Sequence, residues 1–255
     1  MISWTAVYVL WLREMKRFLR ARSRLIGSLA MPVFFMAFLG LGLNRMYLPG
    51  MGQNIGYLSF IVPGIIGMSL LFSSTISGLS DLWDREFGFL KEIMVAPVSR
   101  LSIVLGRVAG GASVVMLQAL LILFLSLFFG FKIPGLFPLG QALLFMILIS
   151  LTFLGLGLIF ASLMKDMQGF SLVMNFVIFP LFFLSGALYP IQNLPRAVRF
   201  LAYLDPLSYG IDGLRWSLLQ ISLFPWYFDL AFMVIFCLFM LSLGAFLFEK
   251  VESAV

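Results

Sequence analysis

Long apolar runs constrain this chain more than any other feature, because a membrane-crossing helix needs about 20 consecutive apolar residues to span a hydrocarbon core of about 30 Å. Runs that approach or exceed that length fall at roughly Leu25–Leu43, Leu58–Ser80, Val108–Phe129, Leu139–Leu163, Phe170–Tyr189 and Trp226–Phe248. Backbone in lipid must satisfy its own N–H and C=O groups, so only helices or a closed barrel can cross. Composition points the same way, with 62% hydrophobic and 11% charged residues against roughly a quarter charged in soluble domains. The predicted fold class is an all-α membrane protein with six transmembrane helices in one domain, residues 25–255.

The residue inventory removes several chemistries. There is no histidine, and the one cysteine, Cys237, lies in the last apolar run. Zinc sites, haem ligands, disulfides and Cys–His or Ser–His catalysis are thereby excluded. No acidic residue sits deep within an apolar run, and Asp229 lies only at the outer end of the last. Proton-coupled transport normally needs ionisable residues within the bilayer. No catalytic residue, metal or cofactor is therefore expected on this chain.

Orientation follows from lysine and arginine, which accumulate on the cytoplasmic side. With the N-terminus inside, twelve of the seventeen lie in inner segments (Arg13 to Arg24, Arg85, Lys91, Arg100, Arg107, Lys165 and Lys250). The outer segments keep Arg45, Lys132, Arg196, Arg199 and Arg215. Both termini are expected in the cytoplasm, and the net charge of +6 reflects membrane topology, not nucleic-acid binding.

Residues 1–24 read as an amphipathic helix at the membrane interface. Trp4, Val7, Tyr8, Trp11, Met15 and Phe18 share one face of a helical wheel, and Arg13, Lys16, Arg17, Arg20 and Arg24 share the opposite one. Such a pattern places tryptophan among headgroups and cations towards anionic lipid or a partner. Arg22 falls on the wrong face, which places the turn into the membrane there. The basic region is too long for a cleavable signal peptide.

The segment Asp81–Arg107 is a polar interruption of another kind. Asp81, Asp84, Arg85, Glu86, Lys91 and Glu92 alternate in sign, and Asp81 precedes Arg85 by one helical turn, a favourable acid-then-base spacing. Pro97 should end the helix near Val95. Leu82, Trp83, Phe87, Phe89, Leu90, Ile93 and Met94 make the same segment greasy. A helix both charged and apolar, facing the cytoplasm, is read as a docking element for a partner; a solvated connecting loop is the plainer alternative.

Small and polar residues within the runs are patterned. Ser69, Ser73 and Ser77 are spaced by four; Gly106 and Gly110 form a GxxxG; Gly155, Gly157 and Ala161 thin the fourth run. Close helix packing explains all three sets, and for the serines a face lining a transport path is the functional alternative. Asn175 and Pro180 in the fifth run fit either a kinked, cavity-facing helix or an asparagine bonded to a neighbour. Phe179, beside them, is a further path candidate. Between the fifth and sixth runs, residues 190–225 are too charged to cross and too apolar for a solvated loop. Pro195 should start a short helix that ends before Asp205-Pro206, with a second from about Ser208 to Gln220, and the pair would dip into the outer leaflet or cap the outer end.

These residues resemble the permease subunits of ABC-2-type transporters, especially the branch exporting drugs, nodulation factors and polysaccharides. FIVPGIIGMSLL, EFGFLKEIMVAP, and PLFFLSGALYPIQNLP followed by LAYLDPLSYGIDGLR carry the resemblance across essentially the whole chain. Many relatives have asparagine where this chain has Asp205. The resemblance implies a connecting helix at the N-terminus, a coupling helix between spans two and three, and re-entrant helices before span six. It also implies two permeases, as a homodimer or with a relative, working with two ATPase subunits in the cell inner membrane. The chain has no GxxxxGK[ST] loop, so ATP and Mg would reside on that separate ATPase. Asp84, Arg85, Glu86, Lys91 and Glu92 would seat on it, Phe87, Phe89 and Leu90 would fill its cleft, Gly88 would allow close approach, and Pro97 would set the exit angle. The implied activity is ATP-driven export of an amphipathic drug, lipid or lipid-linked glycan by alternating access. An ion-coupled transporter and a non-transporting assembly subunit are the competing readings.

Overall fold

The computed structural model describes residues 3–43, 56–86, 99–164 and 167–252, and among them every regular element is helical. In chain order these are α1 (Trp4–Arg20), α2 (Arg22–Phe35) continuing into a π-helical segment (Met36–Leu41), α3 (Tyr57–Glu86), α4 (Arg100–Phe128) and α5 (Leu136–Leu163). There follow α6 (Met167–Val173), a second π segment (Met174–Ile178), α7 (Phe179–Leu184), a 3₁₀ turn (Ile191–Asn193), α8 (Arg196–Leu204), α9 (Pro206–Leu219) and α10 (Trp226–Glu252).

Among the described residues, four stretches are long and apolar enough to cross a bilayer: Tyr57–Gly78, Leu101–Phe128, Leu136–Leu163 and Trp226–Phe248. A fifth exists if α1 and the stretch Leu25–Leu41, which meet at 67°, are counted as one bent span. The expected fifth span, Phe170–Tyr189, is shorter than its apolar run. Its helix covers Gly169–Leu184 and stops at Ser185, whose hydroxyl turns back to the Phe182 carbonyl at 2.6 Å. Gly186 follows at φ +70°, the left-handed geometry that ends many helices. Pro180 does not kink this helix sharply. It follows a π turn instead, and the wider turn accommodates a residue that has no N–H to give the carbonyl four residues back.

Local chemistry sets several helix starts. Ser3 and Ser99 cap α1 and α4 by accepting from the Ala6 and Ser102 N–H groups. Asp205 caps α9 by accepting from Leu207 N–H, with Pro206 in the first turn, where a missing N–H costs nothing.

The interior is built on α5. Its two patterned glycines face different neighbours. A Cβ on Gly155 would stand 2.8 Å from the Met240 carbonyl carbon of α10, and one on Gly157 would stand 2.6 Å from the Thr75 carbonyl oxygen of α3. Gly78 of α3 and Gly244 of α10 make the reciprocal close approaches. The three helices therefore touch at backbone distance, as small residues permit in membranes. Phe60, Ile65 and Leu70 of α3 and Phe145, Ile149 and Phe153 of α5 are buried in one core.

The GxxxG at the start of α4 serves a different purpose. Gly106 receives Leu10 and the Val7 carbonyl, and Gly110 receives the stem of Glu14. Its partner is thus the N-terminal amphipathic helix. The Trp11 indole N–H donates to Ser113 at 3.0 Å, and the Ser3 backbone N–H donates to Ser102 at 2.9 Å. Leu10 and Phe18 are buried, whereas Trp4 and Tyr8 are exposed, so one side of this helix packs on protein and the other is left open. The expected break lies at Ala21, one residue before Arg22.

Candidate functional site

The candidate residues do not gather at one place. In the docking segment, α3 continues as helix beyond Gly78 to Glu86, so the backbone of Asp84, Arg85 and Glu86 belongs to its last turn. At 1.5 Å per residue that extension is about 12 Å long. Phe87, Gly88, Phe89, Leu90, Lys91, Glu92 and Pro97 lie outside the described residues.

The path candidates do not converge. Ser73 and Ser77 line a cavity with Glu14, Ser28 and Gln118, between α1, α2, α3 and α4. Ser69 is buried and does not line it. Phe179 instead packs edge-on against Phe72, ring centres 5.2 Å apart. Asn175 is exposed, with no hydrogen-bond partner among the described residues. Of the two readings the sequence left open for it, a bond to a neighbouring helix within the chain is not the one found.

In the segment before the last helix, both short helices occur with nearly the predicted limits. Of the two placements expected, capping and dipping inward, α9 takes the inward one and lies inside the bundle. A Cβ on Gly67, ten residues into α3, would meet Ile211 at 2.5 Å, and one on Gly210 would meet Ile149 of α5 at 2.6 Å. Leu207, Ile211 and Leu214 are fully buried. Non-helical backbone at such depth must find partners in the protein, and the polar side chains of α9 supply them.

Arg215 is 6% exposed. One guanidinium nitrogen donates to the Gly186 and Ala187 carbonyls at 2.6 and 3.1 Å, and the charge lies 3.8 Å above the Phe60 ring centre. Tyr57 donates to the next carbonyl, Leu188, at 3.0 Å. The irregular turn after α7 is therefore held by α9 and α3. One turn earlier on α9, Asp212 accepts from the Leu223 N–H at 2.7 Å and the Phe224 N–H at 2.9 Å, holding the irregular turn before α10. Ser208 and Tyr209 donate to the Ala202 and Tyr203 carbonyls, both at 2.7 Å, which closes the end of α8. Asp205, Ser208, Tyr209, Asp212 and Arg215 thus serve three breaks in regular structure. Asp229, fully buried in the first turn of α10, presents its carboxyl to that of Asp212.

Sequence reasoning weighed these ionisable residues by their apolar neighbours along the chain and left them at the outer surface. The available signal was their spacing, since positions 205, 208, 209, 212 and 215 recur every three or four residues on a helix that is otherwise apolar.

This arrangement of long glycine-packed helices with a helical hairpin near the end, formed by α8 and the buried, polar α9, can be set against known proteins. The family described as "ABC-2 type transporter" matches residues 5–219, which includes the amphipathic helix and all of the hairpin. The chain is 30% identical over 240 residues to the inner membrane transport permease YadH of Escherichia coli K12, covering 92% of this chain and 91% of that protein. It is 28% identical over 224 residues to nodulation protein J of Rhizobium leguminosarum bv. viciae, covering 86% and 83% respectively. A putative transport permease, ycf38 of Pyropia yezoensis, is 32% identical over 169 residues, 64% of this chain and 56% of its own length. A match of such extent leaves one conclusion: the chain belongs to the ABC-2 type transporter family.

Proposed function

We propose that the chain is the permease subunit of an ATP-driven exporter in the inner membrane, with six spans and both termini in the cytoplasm. Two copies would work with two separate ATPase subunits, which hold ATP and Mg, to move an amphipathic drug, lipid or lipid-linked glycan outward by alternating access. The observation that carries this reading is the continuity of α3, which passes from beside the hairpin to the charged turn Asp84–Arg85–Glu86 without a break in its helix. Closure of two ATPases on ATP would draw the docked ends of α3 together. A ligand shifts a conformational equilibrium only by binding its states unequally, and the ATP-bound ATPase pair is the unequal binder here. A second copy of the chain is supported by Asn175, an amide exposed on an apolar helix, where lipid offers no hydrogen-bonding partner. The turn after Leu184, held by Arg215 and Tyr57, would complete the fifth crossing.

Glu86→Lys combined with Glu92→Lys tests the reading. Reversing two charges on a docking surface costs several kcal/mol, whereas the same change on a solvated loop stays within about 0.5 kcal/mol. The double variant should lose ATPase co-purification and export while permease abundance is unchanged. Retention of both would remove the coupling role. Ion coupling gains one supporting observation, the buried carboxyl pair Asp212 and Asp229. Export that persists without ATP and stops when the proton or sodium gradient is collapsed would favour it.

A further inference from the structure

The cavity beside Ser73 and Ser77 has a volume of about 120 Å³ and a distinctive set of walls. Three of its polar groups offer acceptor atoms. Gln118 of α4 is 5% exposed, and its carbonyl oxygen has no hydrogen-bond partner. The Ser28 hydroxyl donates to the Leu25 carbonyl at 2.9 Å, which leaves its oxygen lone pairs as the free capacity. Glu14 adds a carboxylate, held at the cavity because Gly110 lets its stem lie against α4. Arg13 and Arg17 each approach that carboxylate at 3.9 Å. This is ion-pair distance, well beyond the ~2.7–2.9 Å of a charge-assisted hydrogen bond, so the carboxylate keeps acceptor capacity for another donor.

A buried amide oxygen without a donor calls for an explanation, and here the neighbouring groups supply one. Acceptors gathered around a small space select a compact cation with several N–H groups, and an alkylammonium has three. The two helices that supply Phe18 and Ser28 to the wall meet at Ala21, and the elbow between them carries Arg20 and Arg22, cations of the kind that pair with phosphate. Phe18, Ile76, Val114 and Val115 form the apolar part of the wall. Ammonium in the cavity, phosphate beside arginine and hydrocarbon alongside describe one molecule. We propose that this cavity binds the headgroup of an amine-bearing phospholipid, its ammonium on Glu14 and Gln118 and its phosphate at the arginine elbow. The inference goes beyond the transport reading and depends only on α1 to α4 lying in a membrane.

The test is lipid retention by the purified full-length chain in nanodiscs, read by native mass spectrometry. Discs would contain phosphatidylethanolamine with phosphatidylcholine, whose quaternary nitrogen has no N–H to donate. The expected result is one retained phosphatidylethanolamine per chain, favoured at least fivefold over phosphatidylcholine. Gln118→Leu, which removes the unpartnered oxygen without leaving a polar group behind, should abolish the preference, and Glu14→Gln should reduce it. Equal retention of the two lipids, or undiminished preference in Gln118→Leu, would overturn the proposal. Displacement of the lipid by millimolar free ethanolamine would assign the cavity to soluble amines and overturn the lipid assignment. Loss of ATPase capture by the Glu86/Glu92 double variant is read separately, so either idea can fail alone.

Discussion

Two regions of this molecule handle the same solvent problem in opposite ways. In the interior, α3, α5 and α10 meet through glycines at backbone distance, and α9 sits among them with its polar side chains matched to backbone groups. On the flank, α2 and the α6–α7 helix each contain a π segment and expose Phe34, Phe38, Phe176 and Phe183. The interior is specified by contacts that tolerate no added atoms. The flank is specified by apolarity, which any lipid or protein surface of similar chemistry would satisfy. The difference locates rigidity in one half of the protein and room for rearrangement in the other.

The most damaging change should fall in the interior. Gly157→Val would drive a branched side chain into the α3 backbone near Thr75, and overpacking of this kind costs about 1–3 kcal/mol or more. Thermal unfolding in detergent should show a large drop in midpoint. Gly140→Ala, in the same helix but with nothing within 4 Å of the new Cβ, should gain slightly, by about 0.5–1 kcal/mol. If both glycines tolerate substitution equally, the contrast between the regions fails.

Next in size is Arg215→Met, which keeps the apolar stem near Phe60 but leaves the Gly186 and Ala187 carbonyls without their donor. Loss of hydrogen bonds to a charged group costs about 1.5–3 kcal/mol. A cysteine at Gln192 should also become more reactive to an impermeant thiol reagent as the turn loosens. An unchanged midpoint and unchanged reactivity would mean that the hairpin is held by packing alone.

The smallest effect on stability is expected on the flank. Pro180→Ala restores an N–H next to the π turn, and stability should stay within about 0.5 kcal/mol. Export rate should nevertheless change if the flank is the part that rearranges. A stability loss as large as that of Gly157→Val would erase the distinction.

Much of this architecture was legible, and the reasons differ from place to place. The limits of α8 and α9 were readable because Pro195 and Asp205-Pro206 act on the backbone within a few bonds. The small-residue sets announced close packing, yet nothing local says what packs there. The partners of Gly106 are Val7 and Leu10, almost a hundred residues earlier. The burial of α9 was hidden for the same reason. Asp212 reaches eleven residues ahead and Arg215 twenty-nine residues back, so each looks solvent-seeking when judged by its sequence neighbours. Residues 87–92 and Pro97, expected to dock on a partner, fall outside the described residues, and only the approach to them along α3 can be compared with expectation.

The crossing of α3 over α5 at Gly78 and Gly157 has a mechanical meaning. Backbone contact without intervening side chains makes a fulcrum. From it, Glu86 lies eight residues, or about 12 Å, to one side, and Gly67 lies eleven residues, or about 16 Å, to the other. A tilt of about 5° that moves Glu86 by about 1 Å would move Gly67 about 1.4 Å in the opposite direction. Gly67 is where Leu207 and Ile211 of the hairpin rest. A pull on the charged end of this helix would thus arrive at the hairpin reversed in sign and slightly enlarged, through a single lever.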